Sequence, residues 1–245
     1  MKPIVTAIIQ ARMNSTRLPG KAMMQLAGRP LLYHVFERIQ KTEGVDRVVL
    51  ATCNGNGEII ELAESMGIHV FVGSEDNVLE RYYRASEQFG GDYIMRVTGD
   101  NPFTDPGYAA QTIRMIISAD ADISYFSNLP LGTGIGMVKK SALTVAYKQS
   151  DKPHQLEHVT PYIREHPEAF KIEIHEIDFH NPFTNLRLTV DTPEDFELAT
   201  IIYQHLYQGR PFPLRDVIRF LEQNPSIAAI NGSIRQRPMT HSSIQ

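Results

Sequence analysis

The chain is predicted to be an α/β protein with a mostly parallel central sheet and helices on both faces. Strand-like and helix-like segments alternate through its first half, as in chains that lay parallel strands side by side through right-handed crossovers. A loop bearing Arg12, Arg17 and Lys21, with Pro19 and Gly20, leaves the end of the first apolar run, which is where open sheets of this class bind ligands. The 245 residues, 42% of them hydrophobic, suffice for one large domain or two small ones.

The elements follow in order. Ile4 to Ile9 reads as a buried strand, and Leu31 to Gln40 as an amphipathic helix. Arg47 to Thr52 is a second strand. Glu58 to Met66 is a helix ended by Gly67, which tolerates the positive φ of a C-terminal cap. His69 to Val72 is a short strand, and Asn77 caps a helix running to Phe89. Gly90 and Gly91 break the chain before the strand Tyr93 to Val97. Pro106 opens a helix to about Ser118, and Ile123 to Ser127 is a strand.

The second half is less regular. Leu129 to Gly136 reads as a Gly-rich loop and Lys140 to Lys148 as a short helix. Gln155 to Glu165 is helical, with Pro161 either inside the helix or dividing it. Phe170 to Phe179 alternates in part, as an exposed or dimer-edge strand would. Leu186 to Val190 is a strand, Pro193 opens a helix to about Tyr207, and Leu214 to Gln223 is the last helix. There is no linker or internal repeat, so residues 1–245 are expected to form a single domain. Its nucleotide-binding half is 1–128, its acceptor-binding and dimerisation half 129–234, and 235–245 a polar, flexible tail.

Composition narrows the function. The net charge of −4 disfavours general nucleic-acid binding, which uses a basic face. The single cysteine, Cys53, ends an apolar run and reads as a buried small residue. The first residues enter a strand directly, and no apolar run approaches the ~20 residues of a bilayer span, so the expectation is a cytoplasmic protein without a membrane partner.

The cations gather instead in Gln10-Ala-Arg-Met-Asn-Ser-Thr-Arg-Leu-Pro-Gly-Lys21. A nucleoside triphosphate carries about four negative charges, which Arg and Lys groups on a tight loop can match. The spacing is not that of a P-loop, a dinucleotide fingerprint or a kinase Gly-rich loop. The loop resembles the signature of sugar nucleotidyltransferases. It is most similar to the cytidylyltransferases that make CMP-activated acidic sugars and to SpsF-type proteins of bacterial surface polysaccharide synthesis. The resemblance runs on through Thr52, Glu80-Arg81, Gly99-Asp100-Asn-Pro, Leu156-Glu157-His158 and Val190-Asp-Thr-Pro-Glu-Asp195.

Two carboxylates bear on the chemistry. Asp100 follows the strand Tyr93 to Val97, where an Asp can hold Mg2+ or make a turn to a nearby amide. Asp191 either caps the helix opening at Pro193 or serves a metal, while Glu194 and Asp195 suit its first turn. The resemblance implies a Rossmann-like three-layer α/β/α nucleotidyltransferase fold in which Asp100 and Asp191 are the Mg2+ ligands. It further implies that Arg12 and Arg17 hold the outer phosphates of CTP and that Lys21 lies near the α-phosphate. Arg12, Lys21 and Asp100 are then the catalytic set, with Gln10, Ala11, Asn77 and Arg81 about the cytosine. From the residues alone, a helix cap is the favoured role for Asn77 and a solvated helix charge for Arg81.

A small sugar would be the acceptor, with pyrophosphate released, and similar enzymes suggest a homodimer. Glu157 and His158 are its candidate contacts, or else members of a capped, partly buried helix. The segment Gly132 to Lys139 lacks the His and Tyr found in enzymes that charge 3-deoxy-manno-octulosonate, which argues against that sugar. Three rival readings stand beside this one: a UTP- or GTP-dependent sugar-phosphate nucleotidyltransferase, a glycosyltransferase-like protein that binds a nucleotide sugar, and a zinc site on His154-Gln-Leu-Glu-His158.

Overall fold

The computed structural model describes residues 2–177 and 186–236. β1 is Val5–Gln10, followed by a 3-10 turn at Lys21–Met23 and a small hairpin of β2, Gln25–Leu26, and β3, Arg29–Pro30. Then come α1 (Leu31–Gln40), β4 (Arg47–Thr52), α2 (Gly57–Ser65), β5 (His69–Val72), α3 (Val78–Phe89) and β6 (Tyr93–Thr98). α4 (Pro106–Ala119), β7 (Ile123–Phe126), β8 (Gly136–Lys139) and α5 (Lys140–Gln149) follow. The chain continues through α6 (Pro153–His158), α7 (Pro161–Glu165), β9 (Ile172–His175), α8 (Pro193–Leu206), α9 (Leu214–Gln223) and α10 (Pro225–Ala228).

Seven strands form one sheet in the order β5-β4-β1-β6-β8-β7-β9, parallel except for β8, which runs antiparallel between β6 and β7. Side chains alternate across it. Ala7 and Ile9 of β1 join a core with Val35, Phe36, Ile113, Leu198 and Val217, while Ile8 faces Leu79, Tyr82, Leu143 and Ile163. The parallel sheet is therefore covered on both faces, which explains why β1 and β4 are continuous apolar runs.

The second half departs from its sequence pattern in three places. Gly136–Lys139, at the end of the expected Gly-rich loop, is β8; a run of four residues carries too little alternation to read as a strand. The expected strand Leu186 to Val190 makes one isolated bridge, Leu131 with Arg187, because its neighbour is a turn in which Thr133 N bonds Pro130 O. The helix expected over Gln155 to Glu165 is divided. Pro161 opens α7, and Val159 adopts φ 71°, ψ −48°, with Thr160 N donating to His158 O at 2.8 Å. This is a tight three-residue turn, costly for a β-branched residue and held here by complete burial. β9 is an edge strand; residues 178–179 of the expected Phe170 to Phe179 strand and 237–245 of the expected tail lie outside the described residues.

Candidate active site

β1, β4 and β6 are mutually parallel, so the loops leaving their carboxyl ends meet on one edge of the sheet. After β1 the chain closes on itself: Met13 O accepts from the amides of Ser15 and Gly20, and Met13 N donates to Asn56 Oδ1 at 2.7 Å. Gly20, at φ 70°, takes a left-handed conformation that a side chain would strain, and it turns the chain into the short helix beginning at Lys21. After β6, a Cβ on Gly99 would lie 2.7 Å from Ala11 Cβ, so glycine lets the exits of β1 and β6 touch. Gly99 N donates to Gln10 O at 2.8 Å, and Val190 N to Asp100 O at 2.9 Å. These two backbone bonds bring the segments carrying Lys21, Asp100 and Asp191 together.

The Lys21 ammonium stands between the two carboxylates. Nζ donates to Asp100 Oδ2 at 3.0 Å, to Asp191 Oδ1 at 2.8 Å and to Val190 O at 2.6 Å. The other oxygen of Asp191, Oδ2, faces Arg17 Nη2 at 3.0 Å and Arg187 Nη2 at 2.8 Å. Burial pushes the Asp191 carboxyl up, but Lys21, Arg17 and Arg187 together outweigh it and hold the group below the usual carboxylate range.

Arg187 and Asp195 form the support beneath. Asp195 is buried and accepts from Arg187 Nε and Nη2, Asn231 Nδ2 and the amides of Asp191 and Thr192. Thr192 Oγ1 accepts from Asp195 N in return, a reciprocal cap on α8 with Pro193 behind it. One carboxylate thus caps the helix, forks Arg187 and fixes the backbone of Asp191. Burial lowers the Arg187 pKa, and the two aspartates more than reverse this.

The remaining sequence-selected residues are distributed around this centre. Gln10 ends β1 with its Oε1 buried and unpartnered, and Ala11 O accepts from Thr52 Oγ1 at 2.9 Å. Arg12 is exposed. Asn77 Oδ1 caps α3 by accepting from Glu80 N at 2.8 Å. Arg81 is buried rather than solvated: Nη1 donates to Ser74 O at 2.6 Å and Glu75 O at 3.2 Å, so it pins the loop before α3. Glu157 is exposed and His158 half-buried at the end of α6; His154 is engaged by Glu165 at 2.5 Å. Among the described residues, no group of three or more His, Cys, Asp or Glu side chains is disposed to hold a metal.

Sequence reasoning missed Arg187 and the support role of Asp195. Arg187 was submerged in a segment read as a strand, although a lone cation amid Leu186, Leu188 and Val190, four residues before an Asp, was a signal for a buried pair.

A family model described as cytidylyltransferase matches residues 6–219. An uncharacterized protein of Methanocaldococcus jannaschii is 36% identical over 235 residues, 95% of this chain and 96% of that one. Spore coat polysaccharide biosynthesis protein SpsF of Bacillus subtilis is 34% identical over 228 residues, 90% of this chain and 95% of that one. A cytidylyltransferase structure from Leptospira borgpetersenii superposes with a TM-score of 0.86 at 28% identity, covering 95% of this chain and 99% of that one. The fold is the Rossmann-like, three-layer fold of nucleotidyltransferases. No helix among the described residues is long and apolar enough to cross a membrane. The chain belongs to the cytidylyltransferase family and is a nucleotidyltransferase.

Proposed function

We propose that this member of the cytidylyltransferase family transfers a cytidylyl group from CTP to an acidic sugar, releasing pyrophosphate, for surface polysaccharide synthesis. The observation that carries the reading is the Lys21 ammonium held by Asp100, Asp191 and Val190 O on the carboxyl edge of the sheet. Oxygens that already surround one cation are hard donors of the kind Mg2+ prefers, and two carboxylates suit an ion that completes its shell with phosphate and water. Bound by Asp100 and Asp191, such an ion would neutralise triphosphate charge and acidify the attacking hydroxyl.

The chain's own part is positioning and charge neutralisation. Arg12 and Arg17 hold the β- and γ-phosphates. Lys21 exchanges its carboxylate contacts for the α-phosphate, where negative charge grows as a sugar oxygen bonds to phosphorus and the bond to pyrophosphate breaks. Asp195 and Arg187 hold Asp191 still throughout. Gln10, Ala11, Asn77 and Arg81 border the base, and Glu157 and His158 the sugar.

The test mixes the protein and Mg2+ with CTP, UTP or GTP and a panel of acidic sugars, and follows pyrophosphate. Release with CTP alone is expected. Turnover that needs UTP or GTP and a sugar phosphate, or no nucleotide binding at all, would refute the proposal.

A further inference from the structure

Lys21, Arg17 and Arg187 of the candidate active site meet carboxylates. Two arginines nearby do not. Arg96 on β6 and Arg164 on α7 form no ion pair and no side-chain hydrogen bond among the described residues, and the Arg96 Nε is buried without a partner. The charged neighbour that Arg164 senses is Arg96 itself. Arg164 is exposed as a residue, but its guanidinium packs close enough to the protein for lost solvation to lower its pKa; the Tyr125 phenol opposes this, and Arg96 adds to it. Two like charges held near each other without a counter-ion are unfavourable, and folds retain such arrangements where function requires them.

The sheet leaves room between them. Arg96 is directly opposite Gly136 on β8, and Gly136 is directly opposite Tyr125 on β7. Opposed residues share a face, and strand spacing of roughly 4.8 Å sets Arg96 and Tyr125 roughly 10 Å apart. The residue between them has no side chain, and a Cβ built there would meet nothing within 4 Å. From α7 the Arg164 guanidinium lies 4.0 Å from the centroid of the Tyr125 ring. A stacked guanidinium keeps its N–H edges free, and those edges fit an oxyanion. Arg96 precedes Asp100 toward the same carboxyl end of the sheet. It faces the layer containing α3 and α5–α7, in which α6 carries Glu157 and His158.

We propose that Arg96 and Arg164 clamp an oxyanion of the acceptor, a carboxylate or a phosphate, with Tyr125 as the platform and Gly136 as the space it enters. This rests on the reading that an acidic sugar is the acceptor, and it adds where the charge of that sugar is read.

The probes are pyruvate for a carboxylate, inorganic phosphate, and lactamide as an uncharged control. They are titrated into the full chain while the 15N signals of the Arg96 and Arg164 Nε–H groups are followed, assigned through Arg96→Gln and Arg164→Gln. At least one anion should move both signals and lactamide neither, and Arg164→Gln should raise that anion's Kd about ten- to a hundredfold. Response to pyruvate alone assigns the site to a sugar acid; response to phosphate alone assigns it to a sugar phosphate. Silence of both arginines toward both anions, or an unchanged Kd in Arg164→Gln, overturns the proposal. Arg164 is exposed, so its variant is expected to fold even if Arg96→Gln does not. CTP binding is measured on the same samples. Its absence would sink the proposed function while leaving the subsite standing, and CTP binding with silent arginines would sink the subsite alone.

Discussion

Arg187 and Arg38 are both buried, and they satisfy their charge in opposite ways. Arg187 sits at the carboxyl edge of the sheet and faces Asp191 and Asp195. Arg38, in α1, meets no carboxylate among the described residues: it donates to Tyr203 Oη, Thr104 O and Phe212 O and lies 4.5 Å from the centroid of the Phe212 ring. Beside it His34 is buried against Tyr203 and Tyr207, with Nε2 bonded to Leu26 O at 2.8 Å. At the edge, full charges of opposite sign balance one another, so an arriving anion or cation can redistribute them. In the interior, cations are spent on carbonyl dipoles and ring faces that no ligand can replace. The first arrangement suits chemistry; the second ties α1 to α8 and to the segment before α9.

The sharpest way to break this distinction is Asp191→Asn. It should lower kcat for cytidylyl transfer about a thousandfold with the sheet retained, because the two oxygens no longer carry a full charge. Wild-type turnover would remove Asp191 from the chemistry. Arg38→Ala should do the reverse. Urea unfolding should show a loss of about 3 kcal/mol, since buried carbonyls lose their donor and a cavity opens, with kcat/KM for CTP within about twofold of wild type. An unaltered midpoint would show that Arg38 does not hold these elements together.

Lys21→Ala should separate the two regions from the other side. A turnover loss of about a hundredfold is expected, with a smaller cost in stability, because Arg17 and Arg187 still face Asp191. A large fall in melting temperature with normal kinetics would make Lys21 a structural residue. A pH dependence completes the comparison. Burial holds the His34 pKa down to about 4, with Arg38 and Arg29 adding to the fall against the raising effect of the Leu26 hydrogen bond. The unfolded chain takes up this proton near pH 6.5 and the native state does not. His34 therefore contributes fully above about pH 6.5, and stability falls as pH drops toward about 4, by up to about 1.4 kcal/mol per unit. Urea midpoints of His34→Phe should show a weaker slope over that interval; an unchanged slope would contradict a neutral, buried imidazole.

The basic loop after β1, Asp100 and Asp191 were legible as edge groups because each sits where an apolar run ends in a turn that carries a charge. Asn77 was legible as a cap for the same reason, since its partner, Glu80 N, is one helical turn away. For Arg81, expected to border the base, the alternative of a solvated helix charge fails, because its burial comes from the loop at Ser74 folding over it. β8 and the turn at Val159 escaped because one is too short for a periodic signal and the other is forced by packing against α3 and α5.

The alternation of elements, the two-faced burial of the sheet and the placing of Lys21, Asp100 and Asp191 at its edge followed from the amino-acid order, whereas Arg187 did not. Periodicity, caps and turns act over a few residues, so they survive in a linear reading. Which carboxylates share the Lys21 ammonium, that Arg187 lies beneath them, and that Arg96 and Arg164 have no such counter-ion among the described residues were decided by the tertiary structure. Lys21 meets Asp100 across 79 residues of chain and Asp191 across 170; the pairing of β1 with β6 brings the first two together, and the backbone bond from Val190 N to Asp100 O brings in the third.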